Sequence, residues 1–407
     1  MTPGMTPGMT PGNQLPATRN FPALSAGVIL AVLVAGGCAP LAERGATVAK
    51  RDLHPAVHHT RIVQEEGPWV INVLEVDLAD PSVSLGSVRA KDMVRGRETT
   101  SSMARRSGDS LWTVLGAVNA DFFESDGESV SHQIAGGTIV QAATRGQNAR
   151  VPIRSQFAFT PGKRCLIEKF GYQGNAVFPS GEILPVLSVN RWRRTAGLVA
   201  FNRFAVREEP VDTSAARVGE LRLRYAATRA DTVLYVPADE IEDLAFRWLE
   251  DSLRVPLPRP ADTVRVVHTF VPDPGPLSLL VGGLPRLVVD GRSVADRDEY
   301  REGSSRDFAT KRHPRTGVGF SADSTRLYLV TVDGRQEASV GMSLPEFADL
   351  LISLGVYQGL NFDGGGSTTM VAGGAVVNSP SDLAGERAVS NALLVLARRQ
   401  MPDRDAP

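Results

Sequence analysis

The chain has 407 residues, 42% of them hydrophobic and 22% charged, enough for a large buried core in one or two domains. Its 44 basic and 45 acidic side chains leave a formal net charge of -1, so no global field draws in nucleic acid or an anionic membrane surface. With 39 glycines and 27 prolines set between Val-rich segments, the composition predicts an α+β fold with more strand than helix.

Residues 1–12 repeat Met-Thr-Pro-Gly three times, a density of proline and glycine that holds neither helix nor strand, and Met5 or Met9 serves equally as the start. Arg19 precedes an apolar run over residues 21–35, which ends in Gly36-Gly37-Cys38. A basic residue, a short apolar stretch and small residues before a cysteine form an export signal. The run is shorter than the roughly 20 residues of a membrane-spanning helix. The cysteine placement resembles a bacterial lipobox, although Ala35 stands where Leu, Val or Ile is usual. Residues 1–38 are thus expected to be a lipoprotein-type signal, with Cys38 lipidated and the protein held on the cell envelope through that anchor. Plain secretion and an uncleaved membrane anchor are the alternatives. If Cys38 is lipidated, Cys165 has no disulfide partner.

Residues 39–61 are polar and irregular and are expected to be a tether, with His54, His58 and His59 solvated rather than ligating metal. The folded domain is expected over residues 62–398. Residues 69–78 and 83–88 pattern as strands, residues 99–106 as a short helix and residues 114–118 as a buried strand. That strand ends in Asn119-Ala120-Asp121-Phe122-Phe123, which reads either as polar groups held at the mouth of a cleft or as an Asx-turn over two aromatics. Gly136-Gly137 predicts a hairpin. Residues 157–200 continue as short strands, and residues 203–262 are expected to be an inserted lobe or a pair of long hairpins.

Residues 279–291 read as strand, glycine turn, strand and turn. Residues 317–334 read as a hairpin that Arg315 enters, its planar donor fork suited to phosphate, carboxylate or a surface ion pair. Ser343 with Glu346 forms a capping box, and Pro345 fits the first turn of the helix that follows. Then comes Asn361-Phe362-Asp363-Gly364-Gly365-Gly366-Ser367-Thr368-Thr369-Met370, with residues 370–377 as a strand and residues 392–396 as the last one. Three glycines permit a backbone that aims several N–H groups at one point, an anion seat with Asp363 and Asn361 beside it.

Taken together, Arg315-Thr316-Gly317-Val318-Gly319, Val330-Thr331-Val332-Asp333-Gly334-Arg335 and the Asn361–Met370 stretch resemble the phosphodiester glycosidase family. The resemblance runs over residues 114–396; Asn119-Ala120-Asp121-Phe122-Phe123 fits its asparagine–aromatic element, with Asp121 where many members carry Gly. It implies an exported hydrolase that removes a sugar from a sugar-1-phosphodiester, with a glycan or sugar phosphate as substrate. In that chemistry Asp363, Asn119 and Asn361 are the expected catalytic groups. Arg315, Thr316, Gly364, Gly365, Gly366, Ser367, Thr368 and Asp121 are expected to bind substrate. A divalent cation held by Asp, Asn and backbone oxygens is a further possibility. A non-catalytic glycan-binding lipoprotein and a phosphodiesterase cutting P–O bonds remain open at this level.

The anchor expectation has a direct check. Cys38→Ser is expected to move the protein from the membrane to the soluble fraction; unchanged membrane association with an unchanged N-terminal mass refutes it.

Overall fold

The computed structural model describes residues 45–144, 153–177, 180–191, 197–205, 235–238, 242–247 and 265–399. The proline–glycine repeat, the apolar run, Cys38 and most of the 203–262 segment lie outside them. The described chain is strand-rich, with helices at Thr100–Arg106, Arg306–Thr310 and Leu344–Ser353 as its α-helical elements, in keeping with the expected α+β class.

An eight-stranded antiparallel sheet runs in the order Ala46–His54, Val57–Gln64, Trp69–Asp77, Arg326–Val332, Arg315–Phe320, Gln358–Asn361, Arg286–Val289, Arg292–Ser293. Its central strands are apolar on both faces, because both faces are covered. On Trp69–Asp77, Leu74 and Val76 face the central core while Ile71 and Val73 face the opposite side. On Arg326–Val332, Leu327 and Leu329 take the first role and Val330 and Val332 the second.

The second face is covered by the helix Leu344–Ser353. Ser343 caps it, and both halves of the capping box form, with the Ser343 N–H donating to Glu346 at 2.8 Å. Leu344, Phe347, Ala348 and Leu351 recur at helical spacing and are buried on the sheet. The first face packs on two more sheets. A five-stranded sheet contributes Val118, Met370 and Leu393, and an eleven-stranded sheet contributes Phe157, Leu279 and Val281 to the same cluster.

Several expectations need correction. The 39–61 tether is folded from residue 46 onward. Ala46–His54 and Val57–Gln64 pair antiparallel, and the second strand pairs in turn with Trp69–Asp77. His59 is buried, and its ring hydrogen-bonds Asn72 at 3.1 Å. The stretch lacks a continuous apolar stripe because backbone pairing, with Val57, His59 and Ile62 tucked inward, positions it. The strand–turn–strand–turn order expected over residues 279–291 stands, with its two strands in different sheets rather than paired to each other. Leu279–Gly282 belongs to the eleven-stranded sheet and Arg286–Val289 to the eight-stranded one, so the chain changes sheets at Gly283-Leu284-Pro285. The strand expected over residues 370–377 is two short strands, Met370–Ala372 and Ala375–Val376, folded on each other at Gly373-Gly374.

Phe347 is fully buried, and a Cβ placed on Gly317 would lie 2.8 Å from its Cε1. Phe347→Ala therefore leaves a cavity between helix and sheet. Denaturant unfolding is expected to register a loss of about 3–5 kcal/mol.

Candidate active site at the glycine loop

The site lies where the ends of two sheets meet. From the eight-stranded sheet come the start of Arg315–Phe320, the end of Gln358–Asn361 and the residues after Arg326–Val332; from the five-stranded sheet come the end of Trp112–Asn119 and the start of Met370–Ala372. Asn119 joins them. Its amide Nδ2 donates to the Asp363 carbonyl at 2.6 Å. Its Oδ1 accepts from the Thr316 hydroxyl at 2.9 Å and from the Thr369 N–H at 3.0 Å. One fully buried side chain thus ties both ends of the glycine loop to the neighbouring strand.

The glycine loop is a single 3-10 turn, Gly365–Ser367. Gly365 has φ +61, in the left-handed region, and a Cβ on Gly364 would lie 2.6 Å from the Pro314 carbonyl oxygen. The backbone donors of this turn are mostly taken, with the Gly364 N–H acting on the Asp363 carboxyl and the Gly366 N–H left without a hydrogen bond among the described residues. The Gly365 N–H donates to Pro314, the Ser367 N–H to Gly364, the Thr368 N–H to Gly365 and the Thr369 N–H to Asn119. These donors are consumed in fixing the loop.

Positive charge comes instead from two side chains that lie against the glycines. A Cβ on Gly366 would fall 2.6 Å from Cζ of Arg387, and one on Gly365 would fall 3.0 Å from Nη2 of Arg335. Arg387 is exposed and also pairs with Asp382 at 2.6 Å. Arg335 is exposed, and its Nη2 lies 3.3 Å from Nδ1 of His313. Burial, together with Arg315, Arg335 and Lys311, lowers the His313 pKa, so its ring is neutral and can accept from Arg335.

Asp363 is half-buried at the head of the turn. Burial pushes its carboxyl up to about 6, against the opposing pull of Ser367, Arg387 and the Gly364 N–H. The Ser367 hydroxyl is close enough to act on that carboxyl but falls short of a well-formed hydrogen bond. Asn361 Oδ1, Thr368 Oγ1 and Thr369 Oγ1 are likewise buried oxygens without a partner among the described residues. A single carboxylate beside two guanidinia does not fit a divalent cation, and the described residues contain no group of three or more His, Cys, Asp or Glu able to hold a metal.

The remaining sequence-predicted residues are drawn together but serve as scaffold. Arg315 is fully buried under the site. It donates to the carbonyls of Met342 at 2.8 Å, Phe308 at 2.9 Å and Lys311 at 3.0 Å, and it stacks on the Phe308 ring. Its Nε and Nη2 are thus committed to the scaffold, while Nη1 is buried without a hydrogen-bond partner among the described residues. Thr316 is buried and spent on Asn119. Asn361 donates to the carbonyls of Leu284 and Phe362 at 2.5 and 2.7 Å and fixes the sheet change beside the loop. Asp121 is 1% exposed, accepts from the Ser131 N–H at 2.9 Å and from the Ser131 hydroxyl at 3.2 Å, and is pushed by burial to about 6.

Asp333 is a third buried carboxyl, also pushed to about 6 by burial. It accepts from the Ser379 N–H at 3.0 Å and from Asn378 Nδ2 at 3.1 Å. It thereby anchors the start of the loop that carries Arg387. Arg335 stands in a turn signalled by Asp333-Gly334, whereas Arg387 sits in a polar segment with no pattern to mark it.

The family model for phosphodiester glycosidase matches residues 249–396. N-acetylglucosamine-1-phosphodiester alpha-N-acetylglucosaminidase from Bos taurus is 34% identical over 114 residues, 26% of this chain and 21% of that protein. The Homo sapiens protein of the same name is 32% identical over 114 residues, 26% of this chain and 22% of that protein. An SPbeta prophage-derived uncharacterized protein from Bacillus subtilis (strain 168) is 37% identical over 84 residues, 21% of this chain and 13% of that protein. The match thus spans about a fifth of the length of the two named enzymes. Among solved structures, a hypothetical protein from Synechocystis aligns with TM-score 0.63 at 18% identity over 86% of this chain and 64% of that one. A putative exported protein from Burkholderia pseudomallei aligns with TM-score 0.56 at 21% identity over 83% of this chain and 76% of that one. These two likenesses concern the fold alone.

Asp121, Asp333 and Asp363 each bind a proton more tightly folded than unfolded, from an ordinary carboxyl value of 3.8 up to about 6. Between those values the folded state carries the extra protons, so stability is highest below pH 3.8 on their account and falls as pH rises through 6. Asp363→Asn removes one of the three contributions. Thermal melts from pH 4 to 7 are expected to show a shallower decline, with the variant melting higher at pH 7 by about 2 °C. A variant melting lower at pH 7 contradicts the strained carboxylate.

Proposed function

We propose that this chain, a member of the phosphodiester glycosidase family, hydrolyses the bond between a sugar anomeric carbon and the phosphate of a sugar-1-phosphodiester. The observation that carries this reading is the half-buried Asp363 carboxyl set on a loop against which the guanidinia of Arg335 and Arg387 rest. The names of the animal relatives support the same substrate class.

The chemistry follows from the leaving group. A phosphate monoester departs as a stable anion near neutral pH, so a protonated general acid is less necessary than for an ordinary glycoside. Two guanidinia offer planar donors for the diester oxygens and for the extra charge that collects on them as the bond breaks. Above about pH 6 Asp363 is ionised. There it favours positive charge at the anomeric carbon or takes the proton of the attacking water. The water oxygen forms the new bond to carbon, the C–O electron pair leaves with the phosphate, and the water proton passes through Asp363 to solvent. Asn119 and Thr316 hold the loop, and through it Asp363, in place.

Exposed arginines favour a substrate approached from solvent, such as a phosphodiester-linked glycan at or beyond the cell envelope, reached by an exported lipoprotein. The protein cuts C–O rather than P–O because one carboxylate and two arginines suit an oxocarbenium ion beside a departing anion, whereas attack at phosphorus is served by paired metals.

Hydrolysis in oxygen-18 water tests the assignment. Label is expected on the anomeric hydroxyl of the released sugar, with activity rising through about pH 6 as Asp363 ionises. Asp363→Asn is expected to lower turnover by on the order of a hundredfold. Label on the phosphate product overturns the reaction class.

A further inference from the structure

We infer that Phe122, Phe308 and Arg154 form the subsite that holds the sugar ring, beside the loop that carries Asp363. The inference deepens the reading above and rests on it for the identity of the ligand's other half.

Three short connections bring these residues beside the loop. The Asp363 N–H donates to the Ala120 carbonyl at 2.8 Å, two residues before Phe122. The Gly365 N–H donates to Pro314 at 2.9 Å, and the next residue, Arg315, ties down the Phe308 carbonyl at 2.9 Å. The Leu284 N–H donates to Asn361 at 2.7 Å and the Gly283 N–H to Ser155 at 3.1 Å, which places Arg154 at the same end.

The two rings meet edge to face, with centroids 6.1 Å apart, and both are half-buried. Each is backed by a guanidinium, Arg315 at 5.0 Å from the Phe308 centroid and Arg154 at 5.8 Å from the Phe122 centroid. The aromatic pair is thus fixed in place while part of it stays accessible. Phe308 packs on one side against the helix-covered core, yet both rings keep accessible surface, unlike Phe157 and Phe159 at no more than 1% exposure.

The partner such a surface suits is a pyranose. Its C–H groups carry slight positive charge and lie flat on the electron-rich face of an aromatic ring, while its hydroxyls need donors and acceptors at the rim. Arg154 supplies donors. Its Nε is buried without a hydrogen-bond partner among the described residues, and the half-buried side chain meets the rim through its terminal guanidinium nitrogens rather than through that atom. Neighbouring Asp121 is already committed to Ser131 and acts on Arg154 by charge alone. On this inference the labour is divided, with the sugar on the aromatic pair, the phosphate on the two arginines and Asp363 acting at the bond that joins them.

Saturation-transfer NMR with millimolar methyl α-glucopyranoside and N-acetylglucosamine reads the aromatic side, and phosphorus-31 line broadening of inorganic phosphate reads the other. In the full chain, Phe122→Leu and Arg154→Ala are each expected to weaken the sugar signal by about fivefold or more, the loss of roughly one contact, and to leave phosphate broadening intact. Arg387→Ala is expected to do the reverse. Retained phosphate broadening shows that the Phe122 and Arg154 variants are folded. No sugar signal in the unaltered protein, or a signal indifferent to both substitutions, overturns the subsite. If the two effects separate as expected but no sugar-1-phosphodiester is turned over, the subsite stands and the catalytic reading falls.

Discussion

The Asn119 amide is the interaction on which the rest of the site depends. It uses both ends of its side chain across a sheet boundary, donating to the residue that enters the glycine loop and accepting from the residue that leaves it. Being buried, it cannot exchange these partners for water. Loss of either end would strand a polar group in the interior at about 1–3 kcal/mol. That is why the loop can be made of glycine and still have one shape. Its freedom is removed by hydrogen bonds from outside rather than by its own side chains.

Around that fixed loop the protein keeps three carboxyls in surroundings that resist their ionisation. They are not equivalent. Asp121 and Asp333 are nearly sealed and accept hydrogen bonds that hold neighbouring segments. Asp363 alone is open enough to meet a ligand. The two sealed acids position the walls, Asp121 next to the aromatic pair and Asp333 under the segment leading to Arg387. The open acid is left for chemistry.

How much of this was written legibly in the chain depends on the kind of signal. The helix at Leu344–Ser353 announced itself through a complete capping box and an apolar stripe, because both are local. The glycine loop with Asn361 and Asp363 was visible because residues that bend backbone and residues that carry charge stood together in ten positions. The roles within it were less legible. Arg315 has the chemistry of an anion ligand, yet it faces inward and holds three carbonyls, since burial direction on a short strand is decided by what packs above it. The first strand pair hid because a stretch rich in His, Thr and Arg has no apolar period; pairing to Trp69–Asp77, with Val57 and Ile62 set into the flanking cores, fixes it. Arg387 was invisible because it reaches Gly366 across a loop whose path depends on Asp333, 54 positions earlier in the sequence.

The placement of the two exposed arginines divides heritable labour in this molecule. The N–H groups of Gly365, Ser367, Thr368 and Thr369 are spent inward, so much of the charge recognition falls to side chains that contribute little to the interior. Had the backbone itself been the anion receptor, ligand preference could drift only by remaking a turn that glycine, Asn119 and two sheets jointly constrain. As built, replacing Arg335 or Arg387 changes what is attracted while the turn and the core persist, although loss of Arg387 also removes one pull that favours the ionised Asp363. Ancestral descendants of such an architecture can therefore explore neutral, zwitterionic or differently spaced anionic ligands through surface substitutions, each a small step from a folded protein.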